Sequence, residues 1–330
     1  AIGDGEETII ELISNLNSNK NIEYISKIPG IYVFGLEKNF NKREEFDLNK
    51  SNFLKIDLNE KYKAPERISL YFSKGCIGEC TFCNDVNIMG KFRIRPAEQV
   101  FKEIFYYTEK GVSKFDFNDL LINGDMVELD KFCDLVISHG LKIGWVAHAI
   151  PMKNLTHIML KKMKLAGCDA LMYGVESGSD KIIQHMQKYT NVKTIEKVLD
   201  DSNKVGIENW INIIVGYPTE TEEDFQMTLD FIKRNRKNIT KICNAKTCNV
   251  VYNSELMGNK EKYDLILPRD NAVAEIRWKT KDGKNTDELR KNRLRKLLDL
   301  AKDLKLEVYE HNLNAFADYE NKKQADRYFN

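Results

Sequence analysis

Three cysteines close together form the most chemically distinctive stretch of this 330-residue sequence. Cys76, Cys80 and Cys83 lie within eight residues and follow the apolar run 68–72. Such a run predicts a buried strand, and thiolates are strong metal ligands. Because three of them share one short loop, they can all reach a single metal centre. The spacing therefore predicts a metal site in a loop at the end of a strand.

Two ordinary kinds of cysteine site need more ligands than this loop supplies. A closed structural zinc site has four ligands, and His148 is a distant residue that could complete one. A four-cysteine electron-transfer cluster needs one more thiolate near the three. The remaining cysteines fall within or beside apolar segments and are expected to be buried free thiols: Cys133, Cys168, Cys243 and Cys248. From the residues alone, an enzyme, an iron–sulfur carrier and a zinc-stabilised binding module stay open.

Composition and charge narrow the class of protein. The sequence has 51 Lys and Arg against 50 Asp and Glu, so its net charge of +1 does not indicate a nucleic-acid binder. A hydrophobic content of 42% supports a sizeable core. No apolar run has the length that a bilayer span needs, and no basic segment precedes an apolar one at the start. The cysteine usage predicts a reducing, cytoplasmic environment.

Strands and amphipathic helices alternate from residue 68 onward. The candidate strands are apolar or alternating runs at 68–72, 114–117, 142–147, 170–175, 210–215 and 246–252. The helices predicted between them are 97–110, 129–139, 155–166, 192–205 and 222–233, with N-caps at Asn154, Thr190 and Thr221. Six such units predict an α/β fold, a partial (β/α)6 barrel with a parallel sheet and right-handed crossovers. Active sites of such barrels gather at the carboxyl ends of the strands.

Polar and glycine-containing segments follow four of these predicted strands. They are Asn118 and Asp119 after the second strand, His148 after the third, Glu176 and Ser177 after the fourth, and Gly216, Tyr217 and Pro218 after the fifth. A solvated loop would also be polar, so any one of these residues is weak evidence by itself. Because they recur in register at the strand ends, we expect them to face one mouth of the barrel.

The motifs taken together resemble those of the radical S-adenosylmethionine (SAM) superfamily. Three features carry the likeness: Cys-x3-Cys-x2-Cys with Phe82 before the last cysteine, Glu-Ser-Gly-Ser after the fourth strand, and Ile-Val-Gly-Tyr-Pro-Thr-Glu-Thr after the fifth. The resemblance covers roughly residues 68–252 and is greatest to the subgroup with cobalamin-binding and methylthiotransferase enzymes. The opening Gly-Asp-Gly-Glu-Glu-Thr and the later Ile-Pro-Gly-Ile-Tyr also resemble the junction between a cobalamin-binding domain and its radical SAM domain. The cobalamin-binding fold itself is not in this sequence.

The resemblance implies a set of cofactor contacts. Cys76, Cys80 and Cys83 would hold three irons of a [4Fe–4S] cluster and leave the fourth iron open to the amino and carboxylate groups of SAM. Around the adenine of SAM the resemblance places the backbone of Phe82 and the turn formed by Gly216, Tyr217 and Pro218. Asn118 and Asp119 would contact the methionyl amine, and Lys188 the carboxylate. Glu176 and Ser177 would contact the ribose or the amine, and His148 would be a further contact.

Simpler roles for several of these residues stay open. Where this chain has Asn118 and Asp119, other family members have a Gly-Gly-Glu run. This chain lacks those glycines, so Asp119 is equally a loop carboxylate. His148 is equally a solvated histidine, and Lys188 is by default a lysine on a helix surface. Gly216 and Pro218 could simply turn the strand into its helix.

The resemblance also implies a reaction. A radical SAM enzyme cleaves SAM reductively to a 5′-deoxyadenosyl radical, which abstracts hydrogen from an unactivated carbon. Cobalamin-dependent methyl transfer is the leading expectation, and a cobalamin-independent methylthiotransferase, epimerase or other oxidative rearrangement is the alternative. The expected partners are an electron donor such as flavodoxin or ferredoxin and a small-molecule or peptide substrate.

Three regions are expected along the chain. Residues 1–62 would be the tail end of an upstream, cobalamin-binding-like domain plus a linker, 63–255 the radical SAM core, and 256–330 a helical C-terminal extension. In the first region, Ile9, Ile13 and Leu16 recur at helical spacing and form an apolar stripe that needs a covering surface. The barrel could cover it. We expect instead that the chain is the C-terminal part of a longer architecture, or works beside a separate cobalamin module.

Overall fold

The computed structural model describes residues 3–18, 20–51, 66–268 and 274–309. Part of the expected linker and the whole of the polar segment 310–330 lie outside the described residues. In the part of the chain that the structure describes, no helix has the length and apolar character that crossing a membrane requires.

A seven-stranded parallel sheet forms the centre of the structure. Its strands are β1 (Ile68–Leu70), β2 (Lys114–Phe117), β3 (Gly144–Ala149), β4 (Cys168–Glu176), β5 (Glu208–Val215), β6 (Lys241–Thr247) and β7 (Glu307–Val308). The strands lie side by side in chain order, and every neighbouring pair is parallel. The α/β class with a parallel sheet of strand–helix units is therefore confirmed. The carboxyl ends of all strands meet at one edge, as a barrel mouth requires.

The helices of the structure follow the alternation that the sequence predicts. The longer ones are α1 (Glu6–Asn17), α2 (Ala97–Thr108), α3 (Met126–Ser138), α4 (His157–Leu165), α5 (Val192–Lys204), α6 (Glu222–Arg234) and α7 (Asp287–Asp303). Four shorter helices are Ile22–Ile25, Asp85–Met89, Asp180–His185 and Glu255–Gly258.

One of the three predicted N-caps is confirmed. Thr221 caps α6 in a capping box with Asp224. The predicted caps Asn154 and Thr190 are wrong, because the next candidates along the chain, Thr156 and Asn191, accept the helical N–H groups of α4 and α5.

The sixth strand lies earlier than predicted. The sequence favours 246–252, whereas β6 runs from Lys241 to Thr247. Asn244 and Lys246 of β6 face the cavity described below. These polar residues interrupt the apolar pattern by which a strand is predicted from the sequence. Val250–Val251 pairs instead with Ala274–Glu275 in a separate antiparallel ribbon.

An aromatic cluster fills the core between the sheet and its helices. Phe117 and Trp145 on β2 and β3 meet Phe132 of α3 with ring centroids 5.5–6.2 Å apart. The Trp145 indole donates to the backbone oxygen of Ala166 at 2.8 Å, so its only polar atom is satisfied. This packing fixes β2 and β3, whose ends carry Asn118, Asp119 and His148.

The C-terminal helix α7 packs under the turn that follows β5. Arg290 is fully buried, stacks on the Trp278 ring at 3.7 Å and donates to the backbone oxygens of Ile276 and Trp278 at 2.7 Å. Arg293 forms a buried ion pair with Glu220 at 2.9 Å. Residues beyond position 255 thus contribute to the same core and, through β7, to the same sheet. The division of the chain into three domains stays a prediction.

The N-terminal helix is attached through its polar end. Asp4 lies 3.2 Å from the Lys74 ammonium and 2.5 Å from the Arg93 guanidinium. The predicted apolar stripe is about half exposed, with Ile9 at 50% and Ile13 at 51%. The described residues of the barrel therefore leave this stripe largely uncovered.

Candidate active site around the cysteine loop

A tight turn leads from the sheet into the cysteine loop. After β1, Ser73–Lys74 pairs antiparallel with Arg93–Ile94. Gly75 then takes a positive φ of 75°, and a Cβ there would lie 2.6 Å from the Gly90 oxygen. Glycine is the residue that fits this conformation without strain. The turn sends the following cysteines over the carboxyl ends of the strands.

Asp119 fixes the start of the same loop. Its buried carboxylate accepts hydrogen bonds from the Phe72 N–H at 2.9 Å, from the Ser73 N–H, and from the Ser73 hydroxyl at 2.6 Å. Burial raises the pKa of Asp119 to about 6, and the hydrogen bonds with Ser73 and Phe72 oppose that shift. The structure thus gives this carboxylate protein partners, while the predicted contact with a SAM amine stays untested.

The cysteine loop and the strand ends enclose a cavity of about 490 Å³. Nine of the thirteen predicted site residues line it: Cys76, Cys80, Phe82, Cys83, Asn118, Asp119, His148, Glu176 and Lys188. The loops at the ends of β1 to β4 therefore do bring these side chains to one place. His148 lies on β3 itself, and burial lowers the pKa of its imidazole, which favours the neutral form.

The three cysteines are free thiols that face this cavity. Burial raises the pKa of each thiol, that of Cys83 to about 12, while the Lys188 ammonium opposes the shift at Cys76 and Cys80. The Gly78 N–H donates to the Cys76 sulfur at 3.2 Å. Binding a metal would expel the thiol protons, because thiolates are the ligands.

The arrangement of the sulfurs fits an iron–sulfur cluster. Among the described residues, no three His, Cys, Asp or Glu side chains are grouped as ligands of a single metal ion. In a [4Fe–4S] cluster each cysteine binds a different iron, so the sulfurs need to face one space rather than one point. The soft donor set and the shared cavity meet that requirement.

A charged pair lies at the end of β4. Glu176 has a positive φ of 66°, unusual for a residue with a side chain, and the Lys188 ammonium lies 3.4 Å from its carboxylate. Both side chains are at most 10% exposed. A Cβ at Gly174 would lie 2.7 Å from the Glu176 carboxylate, so glycine is needed for the pair to fold over the strand. Strained backbone of this kind is concentrated at functional sites.

Four predicted site residues lie outside the cavity lining. The Ser177 hydroxyl faces Thr228 of α6 at 3.2 Å, and Gly216 packs against the Arg290 side chain. The Tyr217 ring belongs to a second apolar cluster, and Pro218 is buried in the same turn. Side chains distant in the sequence lie beside Ser177, Gly216 and Tyr217.

The sequence analysis missed several cavity residues on β5 and β6. Asn212 pairs in register with Gly174 on one side and with Asn244 on the other, and Lys246 lies nearer the end of β6. The Asn212 side-chain oxygen is shielded from solvent and has no hydrogen-bond partner among the described residues. The available signal was the amide of Asn212 within the apolar run 211–215. A buried polar side chain normally has a hydrogen-bond partner, so an amide in a buried strand indicates a polar partner or a ligand.

Residues 70–232 match the family model described as the radical SAM superfamily, which confirms the resemblance of the motifs. A tRNA-2-methylthio-N6-dimethylallyladenosine synthase of Fusobacterium nucleatum is 26% identical over 70% of this chain and 54% of its own length. A ribosomal protein uS12 methylthiotransferase of a Sulfurihydrogenibium species is 28% identical over 69% of this chain and 58% of its own length. The chain thus spans little more than half the length of these two relatives.

Two solved structures share the fold. One is the radical SAM methyltransferase TsrM from Kitasatospora setae with cobalamin and a [4Fe–4S] cluster bound, with a TM-score of 0.65 and 14% identity over 84% of this chain and 57% of that one. The other is OxsB, a cobalamin-dependent SAM radical enzyme, with a TM-score of 0.67 and 18% identity over 88% of this chain and 49% of that one. At these identities the likeness concerns the fold.

We predict that Asp119→Ala destabilises the protein even before any cofactor is bound. Two buried N–H groups would lose their acceptor, so the free energy of unfolding should fall by about 2–4 kcal/mol. Denaturant unfolding of the apo-protein measures this change, with the exposed neighbour variant Asn118→Ala as the control. If Asp119→Ala and Asn118→Ala unfolded alike, the anchoring role of Asp119 would be wrong.

Proposed function

Because this chain carries a radical SAM domain at residues 70–232, we propose that Cys76, Cys80 and Cys83 hold its [4Fe–4S] cluster and that the adjoining cavity holds SAM. The observation that carries this proposal is the shared cavity, which the three sulfurs, Glu176 and Lys188 all face. When bound, the cluster supplies the electron for reductive cleavage of SAM to a 5′-deoxyadenosyl radical. The protein's own task is to position the reactants and exclude water.

Glu176 and Lys188 provide opposite charges in one cavity. SAM carries both an ammonium and a carboxylate on its methionyl part, so each charge has a matching partner in the pair. The positions support this role, because Glu176 sits on a rigid strand end and Lys188 acts electrostatically on Cys76 and Cys80. A ligand here would exchange the 3.4 Å contact between the two side chains for contacts of its own.

Other residues of the cavity lining offer a mixed surface for the substrate. Met172, Ile214 and Val251 contribute apolar walls, while Asn212 and Asn244 contribute amides. Apolar walls exclude water from a reactive intermediate, and amides orient a bound group through hydrogen bonds. We propose that a small-molecule or peptide substrate binds here. A reduced flavodoxin or ferredoxin would be the electron donor.

We further propose that the reaction is cobalamin-dependent methyl transfer. The fold shared with TsrM and OxsB supports this reaction. The three-region division of the chain belongs to the same proposal, with the exposed stripe of Ile9, Ile13 and Leu16 as the contact for a cobalamin module.

Methylthiolation is the second candidate, and the sequence relatives favour it. That reaction needs a second cluster or another sulfur source. Outside the loop, Cys133, Cys168 and Cys248 are fully buried and Cys243 is half-buried. Cys133 lies on α3, Cys168 on β4 and Cys243 on β6, while Cys248 directly follows β6, so these four cysteines do not provide a second loop of three.

The first experiment counts iron and tests SAM cleavage. Anaerobic reconstitution should give four irons per chain for the wild type, from the stoichiometry of the cluster. Replacing Cys76, Cys80 and Cys83 with alanine should remove essentially all of this iron. Reduced wild-type protein should release 5′-deoxyadenosine from SAM, and the triple variant should not. The Cys243→Ala variant is the control, and unchanged iron in the triple variant would refute the cluster assignment.

The second experiment measures SAM affinity. Glu176→Ala should weaken binding about tenfold or more while leaving the cluster spectrum intact, because a hydrogen bond to a charged group contributes about 1.5–3 kcal/mol. Isothermal titration of the reconstituted protein gives the dissociation constant. Glu208→Ala, at the exposed opposite end of β5, should bind SAM like the wild type. Equal affinity of Glu176→Ala and wild type would remove Glu176 from the SAM site.

The third experiment separates the two candidate reactions. Reconstituted protein is incubated with SAM, reductant and hydroxocobalamin. Methyl transfer through cobalt should produce methylcobalamin and S-adenosylhomocysteine, the latter in proportion to cobalamin. Since the cobalamin module is proposed to be separate, the reaction should saturate only at high cobalamin concentration. If S-adenosylhomocysteine formed equally with and without cobalamin, the methyl-transfer proposal would fail.

A further inference from the structure

A residue that is not a cysteine holds the middle of the cysteine loop. Thr81 lies between Cys80 and Cys83 and is fully buried. Its N–H donates to the Met186 oxygen at 3.1 Å, and its backbone oxygen accepts the Leu256 N–H at 3.0 Å. Both backbone polar groups of Thr81 are therefore bound to segments far away in the sequence.

The Thr81 side chain makes a third contact. Its hydroxyl lies 2.8 Å from the hydroxyl of Tyr217, which itself donates to the His185 oxygen at 2.9 Å. The Thr81 hydroxyl also lies 3.4 Å from the same His185 oxygen, so each of the two hydroxyls has that oxygen as an acceptor and either can donate to the other. The two hydroxyls and the His185 oxygen therefore form one buried hydrogen-bonded group.

This hydrogen-bonded group connects the cysteine loop to the segment that carries Lys188. The backbone oxygens of His185 and Met186 accept hydrogen bonds from Tyr217 and Thr81. The chain then turns at Gln187, which has a positive φ of 55°, and Lys188 follows and faces the cavity. The cysteine loop and the segment that delivers Lys188 are thereby tied to one buried hydroxyl. Burial raises the pKa of Tyr217, so this hydroxyl keeps its proton.

The Tyr217 ring cannot easily move. It packs with Ile182, Met186 and Trp278 in the second apolar cluster. The Trp278 indole donates to the Cys248 oxygen at 2.9 Å, and Trp278 in turn supports the buried Arg290. Because the ring is held in place, its hydroxyl restricts the positions of both the cysteine loop and the segment that carries Lys188.

We propose that Thr81 and Tyr217 are positioning residues that set the placement of the cluster-binding cysteines relative to Lys188. This inference rests on the proposed function, since it concerns the loop that would hold the cluster. It assigns to Tyr217 a role through the protein rather than a contact with SAM. Partners that orient metal ligands contribute to metal affinity without touching the metal.

The experiment compares two tyrosine-to-phenylalanine variants. Tyr217→Phe removes the hydroxyl that Thr81 contacts. Tyr173→Phe is the matched control, because the Tyr173 hydroxyl is also buried and lies 2.8 Å from the Ser202 hydroxyl, on the helix-covered side of the sheet. Each variant breaks one buried hydroxyl pair, and Tyr217→Phe also loses the bond to the His185 oxygen. A purely structural role therefore predicts a larger loss of thermal stability for Tyr217→Phe but the same behaviour of the cysteines in both variants.

The first readout uses reconstituted protein. Iron release to a chelator should be about 10- to 100-fold faster for Tyr217→Phe than for wild type, because the loss of partners that orient metal ligands lowers metal affinity by about that factor. Tyr173→Phe should release iron at the wild-type rate. Thr81→Val should behave like Tyr217→Phe, and Thr81→Ser, which retains the hydroxyl, should restore slow release. Equal release from Tyr217→Phe and Tyr173→Phe would overturn the proposal.

The second readout needs no cluster and separates this inference from the proposed function. In apo-protein, Cys80 and Cys83 should react faster with iodoacetamide in Tyr217→Phe than in either wild type or Tyr173→Phe, as mass spectrometry of the labelled peptides would show. If the wild type binds no iron but this difference in labelling appears, the proposed function fails and the positioning role stands. If the wild type binds four irons and the labelling rates are the same in all three proteins, the positioning role fails alone.

Discussion

The carboxylate of Asp119 holds the chain at the point where β1 becomes the cysteine loop, and the candidate site depends on that contact. A loop with three cysteines has no regular hydrogen bonding of its own, so other groups must fix its path. Asp119 satisfies the backbone at Phe72 and Ser73, where the sheet ends. Thr81 does the same in the middle of the loop. Between these two anchors, Cys76 and Cys80 are directed toward the cavity.

Electrostatics in the cavity follow from burial. The protein raises the pKa values of the cysteine thiols by desolvating them, and it places Lys188 where its charge opposes that effect at two of the three. Glu176 balances Lys188 at a distance of 3.4 Å. The cavity therefore holds one side chain of each charge, as binding of a group with both an ammonium and a carboxylate requires.

The helix α7 contacts the turn after β5 and so supports the candidate site indirectly. Arg290 and Arg293 of α7 are both buried, and they contact the turn after β5 through Gly216 and Glu220. Burial raises the pKa of Glu220 to about 7, while Arg293 opposes that shift. The same turn carries Tyr217, whose hydroxyl reaches the cysteine loop. The helix α7, which the sequence predicts only as part of a helical extension, thus takes part in fixing the cysteine loop.

Local patterns in the sequence were sufficient to predict the family, the fold class and the approximate bounds of most elements. Cysteine spacing and alternating periodicity are properties of neighbouring residues, so they can be read without the fold. The roles of individual strand-end residues could not be predicted in this way. Asp119, Ser177 and Tyr217 have similar positions after strands, yet their contacts differ. Asp119 lines the cavity and binds the loop at Ser73, Ser177 bonds to Thr228, and Tyr217 bonds to Thr81. Their partners are 46 to 136 residues away in the sequence, and only tertiary packing decides which of them a side chain meets. The same reason applies to Asn212 and Asn244, which become neighbours when β5 and β6 pair in register.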